Sequence, residues 1–355
     1  MIPVSAAGIS FNFDPLGGFI RDFTVQDQGR AVAPLHTAPW VTSAEALDPA
    51  IPLHLARLAG DFFCAPFAQS AEGSPMHGWP ANGTWGLQPG TGLRAVLDHT
   101  VSGATLVKEL SLTDGHPFLY QRHIFIGGSG SMPVANHAMV SLPQGGILRF
   151  SPKRWFESAA SPPEPDATRG RSILAYPARS TDPHRFPLAA GGTVDLTMYP
   201  FGPAHEEFVV GVEAPGHTLG WTAVTRPATR DLYLSLRHAQ RLPMTMLWHS
   251  NGGRDYPPWS GRHRGCLGVE EGAALPMLGL GGHETPDPLT SVGQNAGLTL
   301  HPDQTADVCH VIGALAWPSG EPVASVIASA ESLTITGEGG AQRQVPFDVG
   351  FLADS

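Results

Sequence analysis

Strand-like segments recur along most of the chain, and glycine- and proline-rich turns separate them. TLVKELSL (105–112) and FLYQRHIFI (118–126) flank the turn TDGHP and predict a hairpin. The 42 glycines and 34 prolines among 355 residues favour tight turns over long helices. Because helical periodicity is scarce between these strands, the sequence predicts antiparallel sheets packed face to face. We therefore expect an all-β fold, a large antiparallel β-sandwich with few short helices.

Other segments extend this pattern. Leu232, Leu234 and Leu236 alternate with polar or aromatic residues, so 231–238 is predicted to be a half-buried strand. A short surface helix is predicted at 47–58, and the proline-rich stretch 158–171 reads as an exposed insertion. No stretch resembles an interdomain linker, so residues 1–355 are expected to form a single domain. Further strands are predicted at 145–152, 192–201, 206–215, 219–227, 244–250, 265–270, 296–302 and 332–340.

Charge and motif content restrict the partners. The 31 acidic residues outnumber the 21 basic ones, which argues against a nucleic-acid partner and suits a neutral small molecule. The sequence has no Walker A motif, no GxGxxG before a helix and no GxSxG elbow, so no cofactor is predicted. His205 and the Arg262–Arg264 stretch match no common zinc spacing, so no metal is predicted either.

Cysteine usage and the N-terminus indicate a compartment. Cys64, Cys266 and Cys309 are odd in number and form no CxxC pair, which favours free thiols in a reducing environment. The first residues lack the basic and apolar regions of a signal peptide, and no apolar run is long enough for a membrane span. We expect a cytoplasmic protein without a membrane partner, either a monomer or a homodimer.

Four segments place polar or aromatic groups in otherwise apolar strand-and-turn sequence. In HGWPANGTW, His77 could reach a sugar hydroxyl, with Asn82 and Trp79 beside it, because aromatic faces stack on pyranose rings. In LWHSNGGRDYPPWSGR, an aromatic and polar loop is expected to line a sugar pocket. It contains Trp248, Arg254, Asp255, Tyr256 and Trp259. The alternative interpretations are a histidine capped by backbone groups and a surface loop with buried aromatics.

The other two segments supply an acid and a base. Asn136 and His137 begin a strand, and a histidine there can act as a general acid. Glu270 ends the apolar run CLGV, where an isolated carboxylate is costly unless paired or used. Side chains alternate along a strand, so one of Glu270 and Glu271 should face the site and the other solvent. The alternatives are a structural histidine and two glutamates on a turn.

Taken in order, HGW at His77, ANH at His137 and CLGVE at Glu270 resemble motifs of the aldose 1-epimerase (galactose mutarotase) family. The opening segment 17–35 also resembles that family's first hairpin, and the resemblance covers about 15–345. It implies the family's supersandwich fold. This sequence departs from the family pattern at three points. Gln69 lies in a stretch where many relatives have Arg, and Glu271 replaces a Pro after the catalytic Glu. The family's substrate-binding Asp has no obvious match, and Asp255 is the candidate.

The resemblance implies an isomerase that interconverts the anomers of an aldose. Glu270 would take the proton from the anomeric hydroxyl, His137 would protonate the ring oxygen, and His77 would hold the substrate. Asn82, Asn136, Trp79, Trp248, Arg254, Asp255 and Trp259 are the expected sugar-binding residues. Two alternatives remain at this point: a carbohydrate-binding or regulatory protein without turnover, and a lyase or hydrolase that uses Tyr256 and Arg254.

Overall fold

Strands joined by short turns make up most of the structure, a computed structural model that describes residues 1–43, 45–68, 73–89, 92–274 and 297–353. Within those ranges, three α-helices of four residues each occur: α1 (Pro39–Thr42), α2 (Leu53–Ala56) and α3 (Gly350–Ala353). The predicted all-β class with few short helices is confirmed. None of the helices in these ranges has the length and apolar character needed to cross a bilayer.

The first half of the chain contains the HGW and ANH segments. In chain order these strands are β1 (Ile2–Ala6), β2 (Ile9–Asp14), β3 (Phe19–Asp27), β4 (Arg30–Val32), β5 (Phe63–Cys64), β6 (Trp85–Gln88), β7 (Leu93–Leu97), β8 (Ala104–Leu112), β9 (Phe118–Gly127), β10 (Gly130–Met132), β11 (Val134–Ser141), β12 (Gly146–Phe150), β13 (Lys153–Ser158) and β14 (Ala178–Ser180).

The second half contains the CLGVE segment. These strands are β15 (Phe186–Pro187), β16 (Thr193–Val194), β17 (Met198–Tyr199), β18 (His205–Glu213), β19 (Leu219–Arg226), β20 (Asp231–His238), β21 (Met244–Asn251), β22 (Cys266–Ala273), β23 (Leu298–Leu300), β24 (Thr305–Ala316), β25 (Val323–Ser329), β26 (Ser332–Gly337) and β27 (Gln342–Pro346).

Two large antiparallel sheets form the body of the fold. One has seven strands in the order β14-β13-β18-β21-β22-β11-β5, and the other has nine in the order β17-β12-β19-β20-β24-β9-β8-β7-β6. The predicted hairpin is present as β8 and β9, which are antiparallel neighbours. The meander β1–β4 and the three-stranded sheet β25–β27 are separate additions. That the whole chain is one domain stays a prediction.

An apolar core fills the space between the two large sheets because alternate side chains of their strands point inward. Val134, Ala138 and Val140 of β11 share one buried cluster with Leu106 and Leu119 of the other sheet. A second cluster lies on the opposite face of β11 and its neighbours, and includes Trp248. Each central strand of the seven-stranded sheet is therefore covered on both faces, which explains its nearly continuous burial.

A charged network crosses this apolar interior. Glu271 of β22 accepts hydrogen bonds from Thr222 Oγ1 (2.7 Å) and Thr245 Oγ1 (2.9 Å), and Arg237 Nη1 lies 3.0 Å from its Oε1. Arg237 also pairs with Glu213, and both its side chain and that of Glu271 are fully buried. Thr222 and Arg237 belong to the nine-stranded sheet, so the network joins the two sheets.

Three expectations from the sequence are wrong. Glu271 does not face solvent, because the second sheet covers that side of β22 and supplies its partners. Residues 231–238 are not half-buried, since the three leucines pack in the cluster that contains β25–β27 residues while Arg237 enters the network. The helix predicted at 47–58 is limited to α2, after a turn.

Removing Arg237 tests whether this network stabilises the fold. Arg237→Met leaves Glu213 and Glu271 buried with fewer compensating partners, so the free energy of unfolding should fall by about 3–5 kcal/mol. The matched control is Arg122→Met, because Arg122 pairs with Asp307 at the surface. That change should cost less than about 1 kcal/mol. Urea denaturation measures both, and equal losses would contradict a stabilising role for the buried network.

Candidate functional site

An open cleft of about 540 Å³ lies on the face of the seven-stranded sheet that points away from the nine-stranded sheet. Its floor carries residues of the central strands, and loops and α2 form its walls. The structure brings His77, His137 and Glu270 together in this cleft. These three residues are far apart in the sequence, so it is the fold that places their side chains around the same cleft.

His137 and Glu270 are side by side on the floor. They are direct partners in the antiparallel register of β11 and β22, which gives their side chains the same face. His137 Nε2 lies 3.3 Å from Glu270 Oε1. Glu270 Oε2 and His137 Nδ1 have no hydrogen-bond partner among the described residues. The pair thus combines a mutual contact with a carboxylate oxygen that is free to bind a ligand.

Gly268 explains why the CLGVE segment has a glycine two residues before Glu270. The two residues share a face of β22 because side chains alternate along the strand. A Cβ at position 268 would lie 2.6 Å from Glu270 Oε1 and 2.9 Å from Trp248 Cβ. Any larger residue there would displace the carboxylate from its present position.

His77 is held by a tight turn. Its φ is 66° and that of Gly78 is 70°, a left-handed conformation that is costly for a histidine. A Cβ on Gly78 would lie 2.0 Å from the Ala65 carbonyl oxygen, so glycine is required there. The backbone N–H of Ala68 donates to His77 Nδ1 at 3.3 Å, which leaves Nε2–H as a hydrogen-bond donor. The HG dipeptide therefore orients the His77 imidazole into the cleft.

Asn82 joins this turn to α2. Its Oδ1 accepts from the backbone N–H of His54 at 3.1 Å and lies 3.0 Å from His54 Nδ1. Its Nδ2 donates to the carbonyl oxygens of Met76 (3.0 Å) and Gly78 (2.7 Å). The His54 and His77 rings are 4.9 Å apart, and the His77 and His137 rings are 5.4 Å apart. Asn82 thus orients two of three neighbouring imidazoles and does not itself line the cleft.

Aromatic rings line the rest of the cleft. Trp248 and Trp259 both contact it, with ring centroids 5.9 Å apart at 84°. The guanidinium of Arg254 lies 4.5 Å from the Trp259 ring, and its Nε is 3.4 Å from Glu206 Oε1. Trp248 Nε1 donates to the same carboxylate oxygen at 2.5 Å. Glu206 therefore holds a tryptophan and an arginine of the cleft wall.

Burial determines the protonation states of the ionisable side chains in the cleft. Desolvation, reinforced by the nearby Glu271 carboxylate, raises the pKa of Glu270 well above its usual range. Desolvation also lowers the pKa of His137 to about 3 and that of His77 well below normal. Both shifts in the His137–Glu270 pair favour a protonated carboxyl group beside a neutral imidazole. The pair as a whole then holds one proton over a wide pH range.

Besides Asn82, three other expected sugar-binding residues lie outside the cleft. Asn136 points to the inner face of β11, opposite Glu271 in register, because it precedes His137 on the strand. Trp79 stacks on His99 with centroids 3.9 Å apart, and Asp255 pairs with Arg171. None of the three lines the cleft. Gln69, which marks the departure from the family pattern, lies outside the described residues.

Several cleft residues were not identified from the sequence. His54 enters through α2, and Phe62 stacks on His137 with centroids 4.5 Å apart at 17°. Ser161, Pro162 and Pro163 form part of the wall, so the segment predicted to be an exposed insertion lines the site. The available signal for Glu206 was its position in EEFVV, where two adjacent carboxylates interrupt an apolar strand just as they do at 270–271.

Comparisons with known proteins identify the fold. No protein-family model and no curated protein sequence matches the chain. A solved candidate aldose 1-epimerase from Escherichia coli K12 aligns with a TM-score of 0.58 at 13% identity, over 88% of this chain and 97% of that one. A galactose mutarotase related enzyme from Lactobacillus acidophilus aligns with a TM-score of 0.50 at 9% identity, over 89% and 97%. The predicted galactose mutarotase-like sandwich is confirmed as the fold.

A further match extends the fold to a larger protein. A TPR-domain containing protein from Parabacteroides distasonis ATCC 8503 aligns with a TM-score of 0.53 at 11% identity. The alignment covers 92% of this chain and 48% of that one. At these identities the likeness shows the fold alone, because one fold carries many different sites.

The two adjacent glutamates of β22 should respond oppositely to amidation. A folded-state pKa raised above the unfolded value means stability that is lost as pH rises through the folded pKa. In Glu270→Gln no carboxyl group can ionise, so this loss of stability at high pH disappears. The free energy of unfolding at about pH 8 should therefore stay level or rise by about 1 kcal/mol or more. Glu271→Gln leaves Arg237 with less compensation and should cost about 2–3 kcal/mol.

Urea denaturation at about pH 5 and about pH 8 measures both variants. The gain for Glu270→Gln should be larger at the higher pH, where ionisation of the wild-type carboxyl group costs most. Destabilisation by Glu270→Gln together with a neutral Glu271→Gln would mean that the strand register is shifted by one residue.

Proposed function

We propose that the protein is an aldose 1-epimerase-like isomerase that interconverts sugar anomers. The observation that carries the proposal is the His137–Glu270 pair on the floor of an open cleft, with Nε2 and Oε1 3.3 Å apart and Glu270 Oε2 unpartnered among the described residues. The fold shared with a candidate aldose 1-epimerase and a galactose mutarotase related enzyme supports it.

The geometry suits ring opening of a hemiacetal. The anomeric hydroxyl oxygen and the ring oxygen are bonded to the same carbon, so an acid and a base that serve them must be close neighbours. The single proton of the pair first moves from the Glu270 carboxyl group to His137. The Glu270 carboxylate then takes the proton of the anomeric hydroxyl while His137 Nε2–H protonates the ring oxygen, and the bond from the anomeric carbon to the ring oxygen breaks. After rotation of the open aldehyde, the same transfers run backwards and close the ring on its other face.

Other cleft residues have binding roles in this proposal. His77 Nε2–H donates to a sugar oxygen, and the rings of Trp248 and Trp259 contact the apolar face of the pyranose. Arg254 supplies further donors to hydroxyl groups. The cleft offers both an apolar platform and convergent polar groups, as expected for a small neutral sugar. A cytoplasmic location stays a prediction.

Turnover by the wild type and by matched variants tests this proposal. Glu270→Gln keeps the shape but removes the base, so the mutarotation rate should fall by about 10²–10⁴-fold while sugar affinity changes much less. His137→Asn should lose a similar factor. Polarimetry of freshly dissolved α-glucose and α-galactose gives the rates, and calorimetry gives the binding.

Exposed residues provide the controls. Glu109→Gln changes a carboxylate paired with Arg94 at the surface, and His99→Asn changes a histidine outside the cleft. Both variants should keep the wild-type rate. Glu271→Gln is a poor control because Glu271 belongs to the buried network. The isomerase proposal fails if the wild type binds sugars but accelerates mutarotation of no aldose in a broad panel.

The pH dependence should reflect the proton shared by His137 and Glu270. The productive form has one proton on the pair, so kcat/KM should be level between two limits. It should fall below about pH 3–4, where His137, whose pKa is about 3, gains a second proton. It should also fall on the alkaline side, at the raised pKa of Glu270. Polarimetry corrected for the buffer rate measures this profile.

The acidic limit thus belongs to His137 and the alkaline limit to Glu270. With ordinary pKa values the assignment is the opposite, because the rate then rises as a carboxylate ionises and falls as an imidazole loses its proton. Limits near about 4.5 and about 6.5 would show ordinary protonation states and would contradict the buried neutral pair. Glu109→Gln should leave both limits in place.

A sugar-binding protein without turnover is the second candidate function. The neutral resting state favoured by burial provides no ionised base before the ligand arrives. The cleft would then bind an aldose through the same aromatic and polar groups. Tight calorimetric binding of an aldose without any acceleration of its mutarotation would favour this alternative.

A further inference from the structure

Two histidines and a cysteine converge beside the cleft. His36 lies between β4 and α1, His263 precedes β22, and Cys266 is the first residue of β22. One donor atom from each residue lies within 4.8 Å of the others. His36 and His263 are far apart in the sequence, so local spacing could not indicate this cluster, and the prediction of no metal rested on local spacing alone.

The donor atoms of this cluster are buried and lack partners. His263 is 1% exposed, and its Nε2 has no hydrogen-bond partner among the described residues. Nε2 of His36 is likewise buried and unpartnered within the described ranges, and Cys266 is a fully buried free thiol. Leaving a buried polar atom without a partner costs free energy, so two such nitrogens on residues that converge beside a thiol call for a ligand.

The far side of the His263 ring is held by a hydrogen-bond chain. Ser250 Oγ donates to Glu206 Oε2 at 3.0 Å and lies 2.7 Å from His263 Nδ1. A hydroxyl has one hydrogen, so Ser250 accepts the Nδ1–H of His263 while it donates to Glu206. The lone pair of His263 is then on Nε2, the nitrogen without a hydrogen-bond partner among the described residues. Metal-binding histidines in proteins are oriented in this way by hydroxyl and carboxylate partners.

We propose that His36, His263 and Cys266 form a Zn²⁺ site, with water in the fourth position. Two imidazole nitrogens and a thiolate suit Zn²⁺, and a site with three protein ligands keeps one position open. The thiol loses its proton to the solvent as the metal–sulfur bond forms, so binding releases one proton.

Metal binding to the purified protein tests this proposal without any sugar assay. After chelator treatment, Zn²⁺ is titrated against a competing chromogenic chelator, and one tight site per chain is expected. Cys266→Ser and His36→Asn should each weaken Zn²⁺ affinity by at least about 100-fold, since each removes a ligand. Ser250→Ala should weaken it by about 10–100-fold because it removes only the orienting partner. Cys309→Ser and His99→Asn are the matched controls and should bind as the wild type does.

Co²⁺ provides the spectroscopic readout. Substituted protein should show a thiolate-to-metal charge-transfer band that Cys266→Ser abolishes and Cys309→Ser preserves. Several weak sites that Cys266→Ser leaves unchanged would overturn the proposal and show surface binding by some of the 16 histidines. Binding of Cu²⁺ but not Zn²⁺ would overturn the choice of metal. Should Cys266→Ser fail to fold, the comparison of His36→Asn with His99→Asn decides, because Nε2 of His36 has no hydrogen-bond partner among the described residues to lose.

Discussion

The buried interaction of Glu271 with Arg237 fixes the position of β22, and the cleft depends on it. Both side chains are fully buried, and the two threonines that donate to Glu271 come from different sheets. A shift of β22 by one residue would turn Glu271 out of the network and leave Arg237 without one of its two carboxylates. Such a shift would cost the desolvation of an unpaired buried charge, so one register is strongly favoured. Because side chains alternate, that register turns Glu270 toward the cleft.

The same arrangement occurs twice in the seven-stranded sheet. In β18, Glu206 faces the cleft side with Trp248 and Arg254, while Glu207 accepts from Tyr176 at 2.8 Å. In β22, Glu270 faces the cleft and Glu271 the network. In both strands, adjacent acids in an apolar run are therefore divided between two buried environments, and neither is a solvent-facing residue. The cleft combines one carboxylate that positions other side chains with one that is free to bind a ligand.

The sequence predicted the class of fold and much of the floor of the site for physical reasons. Turn residues and alternating strands indicate an antiparallel sandwich, and HGW and CLGVE contain glycines whose absence of a side chain the local packing requires. The residues of the cleft walls were harder to predict from the sequence. Because side chains alternate along a strand, the sequence predicts that Glu270 and Glu271 point to opposite faces. That both are buried follows only from the nine-stranded sheet, which covers the Glu271 side. His54 and the 159–163 segment reach the cleft through tertiary packing, and no local pattern marks them.

Glu206 connects the cleft with the histidine–cysteine cluster. One of its oxygens holds Trp248 and Arg254 at the cleft wall, and the other accepts from Ser250, which in turn holds His263. The ring of His263 also stacks on Trp248 with centroids 5.4 Å apart at 15°. A change in the position or charge of His263 would therefore reach the aromatic wall through a hydrogen-bond chain and a direct ring contact. Occupancy of the histidine–cysteine cluster by a metal would restrain the same tryptophan that is proposed to contact the sugar, so the two sites share one rigid wall.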